Sequence, residues 1–187
     1  MSLVRFHQIE KDDLEMLKDW RNDPSVRLIC REYRLLNDSL QEYWHDSTVH
    51  DTDFMMFKVE ALKSNGNKRP GELTEQSEPK YIGVCGWTFI DWRSRHALLS
   101  LYIGEPDYRT DDYYAAIFHE LHRVAFKELD MHVVRAEIYA FDPRLEMFYS
   151  AGYEKTGVRR EQYYHDGKHH DIYVMDILKR DWIKANG

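Results

Sequence analysis

Cysteine is scarce in this chain: Cys30 and Cys85 are the only two in 187 residues. That excludes a disulfide framework and fits two free thiols, buried as small hydrophobes in a reducing compartment, so a cytoplasmic protein is expected. Long apolar runs are lacking too. The longest fall far short of the roughly 18 residues a membrane helix needs, so no membrane partner is expected. The sequence passes from Met1-Ser2-Leu3-Val4-Arg5-Phe6 straight into a strand-like alternation, which argues against a signal peptide. Clustered positive charge is also missing, since 26 Lys and Arg stand against 33 Asp and Glu, for a net charge of −7. Neutralising a nucleic acid needs the opposite balance, so no nucleic-acid partner is expected. An acidic chain is compatible with a cationic acceptor such as an amine, although net charge speaks to steering more than to chemistry.

What the sequence does have is the composition of one soluble globular domain, with 43% hydrophobic and 32% charged residues. Leu3 to Ile9 alternates as a first strand. Lys11 to Asp23 places Leu14, Leu17 and Trp20 at helical spacing, and Pro24 is expected to stop that helix. Asn37-Asp38-Ser39 can cap a second helix carrying Leu40, Tyr43 and Trp44. Asp53 to Leu62 reads as a strand. From residue 63 to 79 the apolar period vanishes, giving a flexible loop insertion, either a solvated excursion or a substrate lid.

Tyr81 to Asp91 and His96 to Gly104 are two further strands. The second is apolar on both faces and so belongs in the centre of a sheet. Tyr114, Ile117, Phe118, Leu121, Val124 and Ala125 form one helical stripe from Asp111 to Leu129, with Thr110 as its natural cap. His132 to Phe141 is a strand, and Asp142-Pro143 supplies a cap and a first-turn proline for a short helix ending at Gly152. Tyr153 to Tyr164 and His169 to Leu178 form a hairpin hinged at Asp166-Gly167. The result is an α/β fold of order β-α-α-β-β-β-α-β-α-β-β: a mixed sheet of about seven strands with about four helices. Residues 1–179 make one domain and 180–187 a polar tail.

That order resembles the GNAT superfamily of N-acetyltransferases, and four stretches carry the likeness. Trp20-Arg21-Asn22-Asp23-Pro24-Ser25-Val26-Arg27 resembles the first-helix segment of that superfamily. Ile82-Gly83 with Ile90-Asp91 matches the third-strand pattern. Asp142-Pro143-Arg144 through Phe148-Tyr149 and Gly152-Tyr153 is similar to the segment around the fourth helix. Gly157 to Glu161 and Tyr164 to Asp171 resemble the C-terminal hairpin of ribosomal-protein N-terminal acetyltransferase-like (RimJ/RimL-type) members. The resemblance implies direct transfer of acetyl from acetyl-CoA to a primary amine of a small molecule, amino sugar or peptide N-terminus, without a metal. A homodimer is compatible with it.

The family's cofactor loop is Gln/Arg-x-x-Gly-x-Gly/Ala ahead of a helix, and here it aligns with Arg109-Thr110-Asp111-Asp112-Tyr113-Tyr114. Both glycine positions are filled, by Asp112 and Tyr114. Glycine serves there because a side chain would stand between backbone amides and phosphate. Asp111 and Asp112 suit the helix dipole by about 0.3–1 kcal/mol each, but they repel a diphosphate. Either the cofactor enters by a shifted route, or the chain is a catalytically silent member used for binding. By family analogy, cofactor contacts fall to this loop, to Asp142 and to the backbone of Leu101, Tyr102 and Ile103.

The resemblance also assigns an acid for the leaving thiolate, either Tyr149 or, counting back from Gly152, a slot filled by Phe148, which cannot donate a proton. Glu105 is the candidate base, or else a solvated loop carboxylate. Trp20, Arg21, Trp87 and Tyr164 line the acceptor side by analogy, or else serve as core and surface residues. His165, His169 and His170 invite a metal, but adjacent strand residues face opposite ways, so none is expected.

Overall fold

The structure, a computed structural model, describes residues 2–62 and 79–187. Apart from Pro79, the loop expected at 63–79 lies outside the described residues. Seven strands form one mixed sheet: β1 (Val4–Gln8), β2 (Met55–Ala61), β3 (Tyr81–Asp91), β4 (His96–Ile103), β5 (Val133–Tyr139), β6 (Glu154–His165) and β7 (Lys168–Leu178). Their order across the sheet is β1-β2-β3-β4-β5-β7-β6. All neighbours are antiparallel except β4 and β5. The doubly apolar β4 sits centrally because both of its faces are covered. Ala97, Leu99 and Ile103 belong to the main core, and Tyr102 to a second cluster with Leu17, Trp20, Val26 and Val84.

Six α-helices are present among the described residues, and they divide between the two faces. On the Tyr102 side lie α1 (Leu14–Asn22), α2 (Pro24–Arg27) and α3 (Asp38–Val49). On the other side, α4 (Asp111–Arg123), α5 (Leu145–Ser150) and α6 (Lys179–Asn186) deliver Ile117, Phe118, Leu121, Phe148 and Trp182 to the main core. Burying each such side chain contributes about 1.5–3 kcal/mol.

Several local expectations hold. Asn37 caps α3, its side chain accepting from the Leu40 amide at 2.9 Å. The β6–β7 hairpin turns on Asp166 (φ 49°) and Gly167 (φ 76°), the paired left-handed conformation that glycine tolerates best.

Others are corrected. Pro24 ends α1 but also opens α2 at a position needing no amide donor, while the Asp23 carboxylate accepts from the Ser25 amide at 2.8 Å. Thr110 occupies the cap position of α4 without a side-chain capping bond. The stripe continues past α4 as a single π-turn, Val124–Glu128, closed by the Leu129 amide on the Val124 carbonyl at 3.0 Å. Asp142 does not cap α5, which begins three residues later, because Asp142 binds Arg144 instead. The segment from Lys179, expected as a tail, is helix α6 with Trp182 buried against Phe126, their rings 5.7 Å apart.

Candidate active site

Parallel strands β4 and β5 pair only at their starts, His96 to Leu98 against Val133 to Arg135. Beyond that point β4 stays with β3 while β5 stays with β7 through Tyr139, so the two edges part. Backbone groups on such an edge must find other partners. Two arginines supply them. Arg144 Nη1 donates to the Leu101 carbonyl at 2.8 Å. Arg109 Nε donates to the Ile103 carbonyl at 2.9 Å and Arg109 Nη2 to the Gly104 carbonyl at 2.8 Å.

Arg109 also reaches across to Ser25 Oγ at 2.7 Å, which ties the end of β4 to the start of α2. Its guanidinium is therefore an internal stitch. The close fit continues at Gly104, where any Cβ would collide with the Trp20 ring. Trp20 Nε1 donates to Glu105 at 3.1 Å, and Lys80 Nζ donates to the same carboxylate at 2.6 Å. Chiefly through Lys80, the Glu105 carboxyl is held below its ordinary range. A carboxylate so held is a poor proton acceptor, which weighs against Glu105 as the base.

At the start of α4, Asp111 and Asp112 are exposed and Tyr113 packs edge-on against Tyr108, with centroids 5.0 Å apart. Tyr114 does not lie across the helix start. It is 4% exposed and turns into the core toward Arg144, and burial pushes its phenol up. The amides of Asp111, Asp112 and Tyr113 have no hydrogen-bond partner among the described residues. Beneath Tyr114, Asp142 and Arg144 form a buried pair. Arg144 Nη2 meets Asp142 at 2.6 Å, and the same carboxylate accepts from the Arg144 amide at 2.9 Å. Beside α4, a cavity of about 780 Å³ lies between α4, α5 and α6, lined by Ala115, Phe118, Met147 and Trp182, with Asp111 and Asp181 also on its walls.

The remaining candidates scatter. Trp87 is 1% exposed in the main core, edge-on to Phe57, so it cannot meet an acceptor. Phe148 is buried against Phe118 at 4.9 Å, whereas its neighbour Tyr149 is 39% exposed. Tyr102 faces the second cluster, and burial raises its phenol far above the usual range. Arg21 lies over the Tyr102 ring at 5.7 Å and donates to the Glu32 carbonyl at 3.2 Å. Tyr164 is exposed beside His169, while His165 and His170 pack on Phe141.

Sequence reasoning missed Arg144, Cys30 and Tyr139, which gather at the opening on the helix α1–α3 side. Burial pushes the Cys30 thiol up, although the Arg21 and Arg144 charges oppose this. Tyr139 stacks on Tyr163 at 3.8 Å and is pushed up to about 12, mainly by burial. The signal for Arg144 was its place two residues after Asp142, close enough for a carboxylate to grip both its amide and its guanidinium.

Residues 6–174 of the chain match a family model described as an acetyltransferase (GNAT) domain. The chain belongs to the GNAT family. An uncharacterised N-acetyltransferase of Bacillus licheniformis, p20, is 23% identical over 170 residues, which is 83% of this chain and 95% of that protein. Among solved structures, the spermidine N-acetyltransferase of Vibrio cholerae in complex with CoA and spermine superposes with a TM-score of 0.81 at 16% identity, covering 97% of this chain and 98% of that one. A dodecameric structure of spermidine N-acetyltransferase from the same organism gives 0.77 at 17% identity, with 99% of both chains covered. At such identities the likeness is one of fold.

Proposed function

We propose that this GNAT protein transfers acetyl from acetyl-CoA directly to a primary amine. What carries the reading is the opening between β4 and β5, joined through Arg109 and Tyr114 to a helix start with three unpartnered amides. The amides of Asp111, Asp112 and Tyr113 would hold the diphosphate, aided by the positive end of the helix dipole. The edge of β4 at Leu101 to Ile103, which β5 does not pair, would take the amide-bearing arm in exchange for the arginine contacts on the Leu101 and Ile103 carbonyls. The residues present fit, because Tyr114, at the second glycine position, turns inward and leaves the amides clear. The bound thioester supplies an activated acetyl group. An acceptor amine entering from the side of Arg21 and Tyr139 must arrive neutral, since an ammonium has no lone pair to attack with.

The likeness of the C-terminal hairpin, Gly157 to Glu161 and Tyr164 to Asp171, to ribosomal-protein N-terminal acetyltransferases supports placing the chain near that subgroup. The spermidine acetyltransferases support a small amine as acceptor. A silent GNAT-fold domain is the rival reading, and the Arg144 bond to the Leu101 carbonyl favours it, because that bond occupies an edge the cofactor arm needs. The test is protein-dependent release of free CoA thiol from acetyl-CoA across a panel of small amines, amino sugars and short peptides. Release with at least one acceptor supports transfer. None with any, despite measurable acetyl-CoA binding, favours the silent domain.

A further inference from the structure

The acceptor side of the opening carries positive charge that the rest of the molecule does not match. Arg21, Arg27, Arg31 and Arg34 fall within 14 residues of a chain whose net charge is −7. Three carboxylates of that face are already engaged in ion pairs: Glu32 with Arg34 at 2.6 Å, Glu137 with Arg159 at 2.7 Å and Asp142 with Arg144 at 2.6 Å. Among the described residues, Arg21, Arg27 and Arg31 enter no ion pair, and neither does Arg135, whose strand position puts it on the same face as Glu137 and Tyr139. Three carboxylates of the neighbourhood enter no ion pair among the described residues: Asp23, which accepts from the Ser25 amide and hydroxyl, Asp171, which accepts from the Glu161 amide, and Asp176, opposite Arg135 in the β5–β7 register.

The guanidinia are also short of partners. The Nε atoms of Arg21, Arg27 and Arg135 are buried without a hydrogen-bond partner among the described residues. Buried donors left unpaired are uncommon and need an explanation. Arg21 and Arg27 each hold one carbonyl of the 28–33 loop, Glu32 at 3.2 Å and Tyr33 at 3.3 Å, which fixes their forks in place. Arg31 lies over the Phe89 ring at 5.3 Å, and its charge reaches Tyr139. Tyr163, stacked on Tyr139, donates to the Leu28 carbonyl at 2.9 Å and pins the β6–β7 hairpin to the same loop.

We infer that the acceptor is an amine that also bears an anionic group, a phosphate or a carboxylate, held by Arg21 and Arg31 beside the Tyr139–Tyr163 stack while its amine faces the opening. Arginine's planar fork matches both anions, and partly desolvated pairs with it are the stronger kind. A polyamine meets this face as like charge against like charge. The inference deepens the proposed transfer and rests on that reading for the amine, but the anion preference can be measured without the cofactor.

Calorimetric titration of the full chain with glucosamine 6-phosphate, muramic acid, glucosamine and spermidine, with and without acetyl-CoA, tests it. One of the two anionic amines should bind at least about tenfold more tightly than glucosamine or spermidine, the size of one charge-assisted contact. The stronger of the two names the anion. Arg31→Ala, a change at an exposed position, should bring the ratio to within about threefold, and Arg31→Lys should restore part of it. Spermidine binding as tightly as the stronger anionic amine, equal binding by all four, or a ratio untouched by Arg31→Ala would overturn the inference. Failure of the transferase reading shows separately, as no release of CoA thiol from acetyl-CoA with any of the four amines.

Discussion

Tyr149 and Phe148 show how much a single position decides. Helix α5 turns Phe148 into the core and leaves Tyr149 39% exposed, and we propose that Tyr149 takes no part in the proton transfer. Losing a working general acid costs 10²–10⁴ in rate, so Tyr149→Phe is expected to keep steady-state turnover within about threefold. A hundredfold fall would restore Tyr149 to the chemistry. At the helix start, Asp111 and Asp112 oppose a diphosphate by about 1 kcal/mol per close pair. The double change Asp111→Asn with Asp112→Asn should therefore tighten acetyl-CoA by about fivefold or more in a titration, at low salt above all. These aspartates were legible in the sequence. The inward turn of Tyr114 was not, because it depends on the buried Arg144–Asp142 pair, whose members gather around β4 only after folding.

At the scale of elements, strands and the hairpin were legible because their signals are local: alternation in β1, double-faced apolarity in β4, and Asp166-Gly167 at the turn. Helix α6 was not. Its sequence, Lys-Arg-Asp-Trp-Ile-Lys-Ala-Asn, carries a single large ring to the core, and that ring becomes meaningful only where Phe126 and the Lys127 ammonium, 5.3 Å from the Trp182 centroid, are waiting. Trp182→Ala is expected to cost about 3–5 kcal/mol in urea unfolding, as for other buried rings. A loss under 1 kcal/mol would mean that α6 is dispensable. Helix α4 makes a second prediction. His122 is buried, its Nε2 3.0 Å from the Tyr153 hydroxyl, and burial lowers its pKa to about 3. The unfolded chain takes up that proton near pH 6.5, so the contribution of neutral His122 is whole above about 6.5 and declines as pH falls toward 3. Thermal midpoints should drop across that window in the wild type and drop less in His122→Phe. Equal slopes would contradict the assignment.

For the whole molecule, the sheet order and the two clusters explain why one strand serves as a hub. Strand β4 is gripped by β3 along its length, parts from β5 after Leu98 and is stitched at its far end to α2 through Arg109. That arrangement leaves a backbone edge facing inward beneath a helix start, and an arginine-rich face on the acceptor side. The family was visible in the sequence from segments spread along nearly the entire chain, whereas the site was only half visible, because its polar contacts join residues far apart in sequence. The central claim is that the amides of Asp111 to Tyr113 and the edge of β4 that β5 leaves unpaired take acetyl-CoA despite the filled glycine positions. Isothermal titration of the full chain with acetyl-CoA tests this most directly. One molecule bound per chain, with a dissociation constant in the micromolar range, is predicted. No heat of binding with the cofactor at millimolar concentration would contradict it.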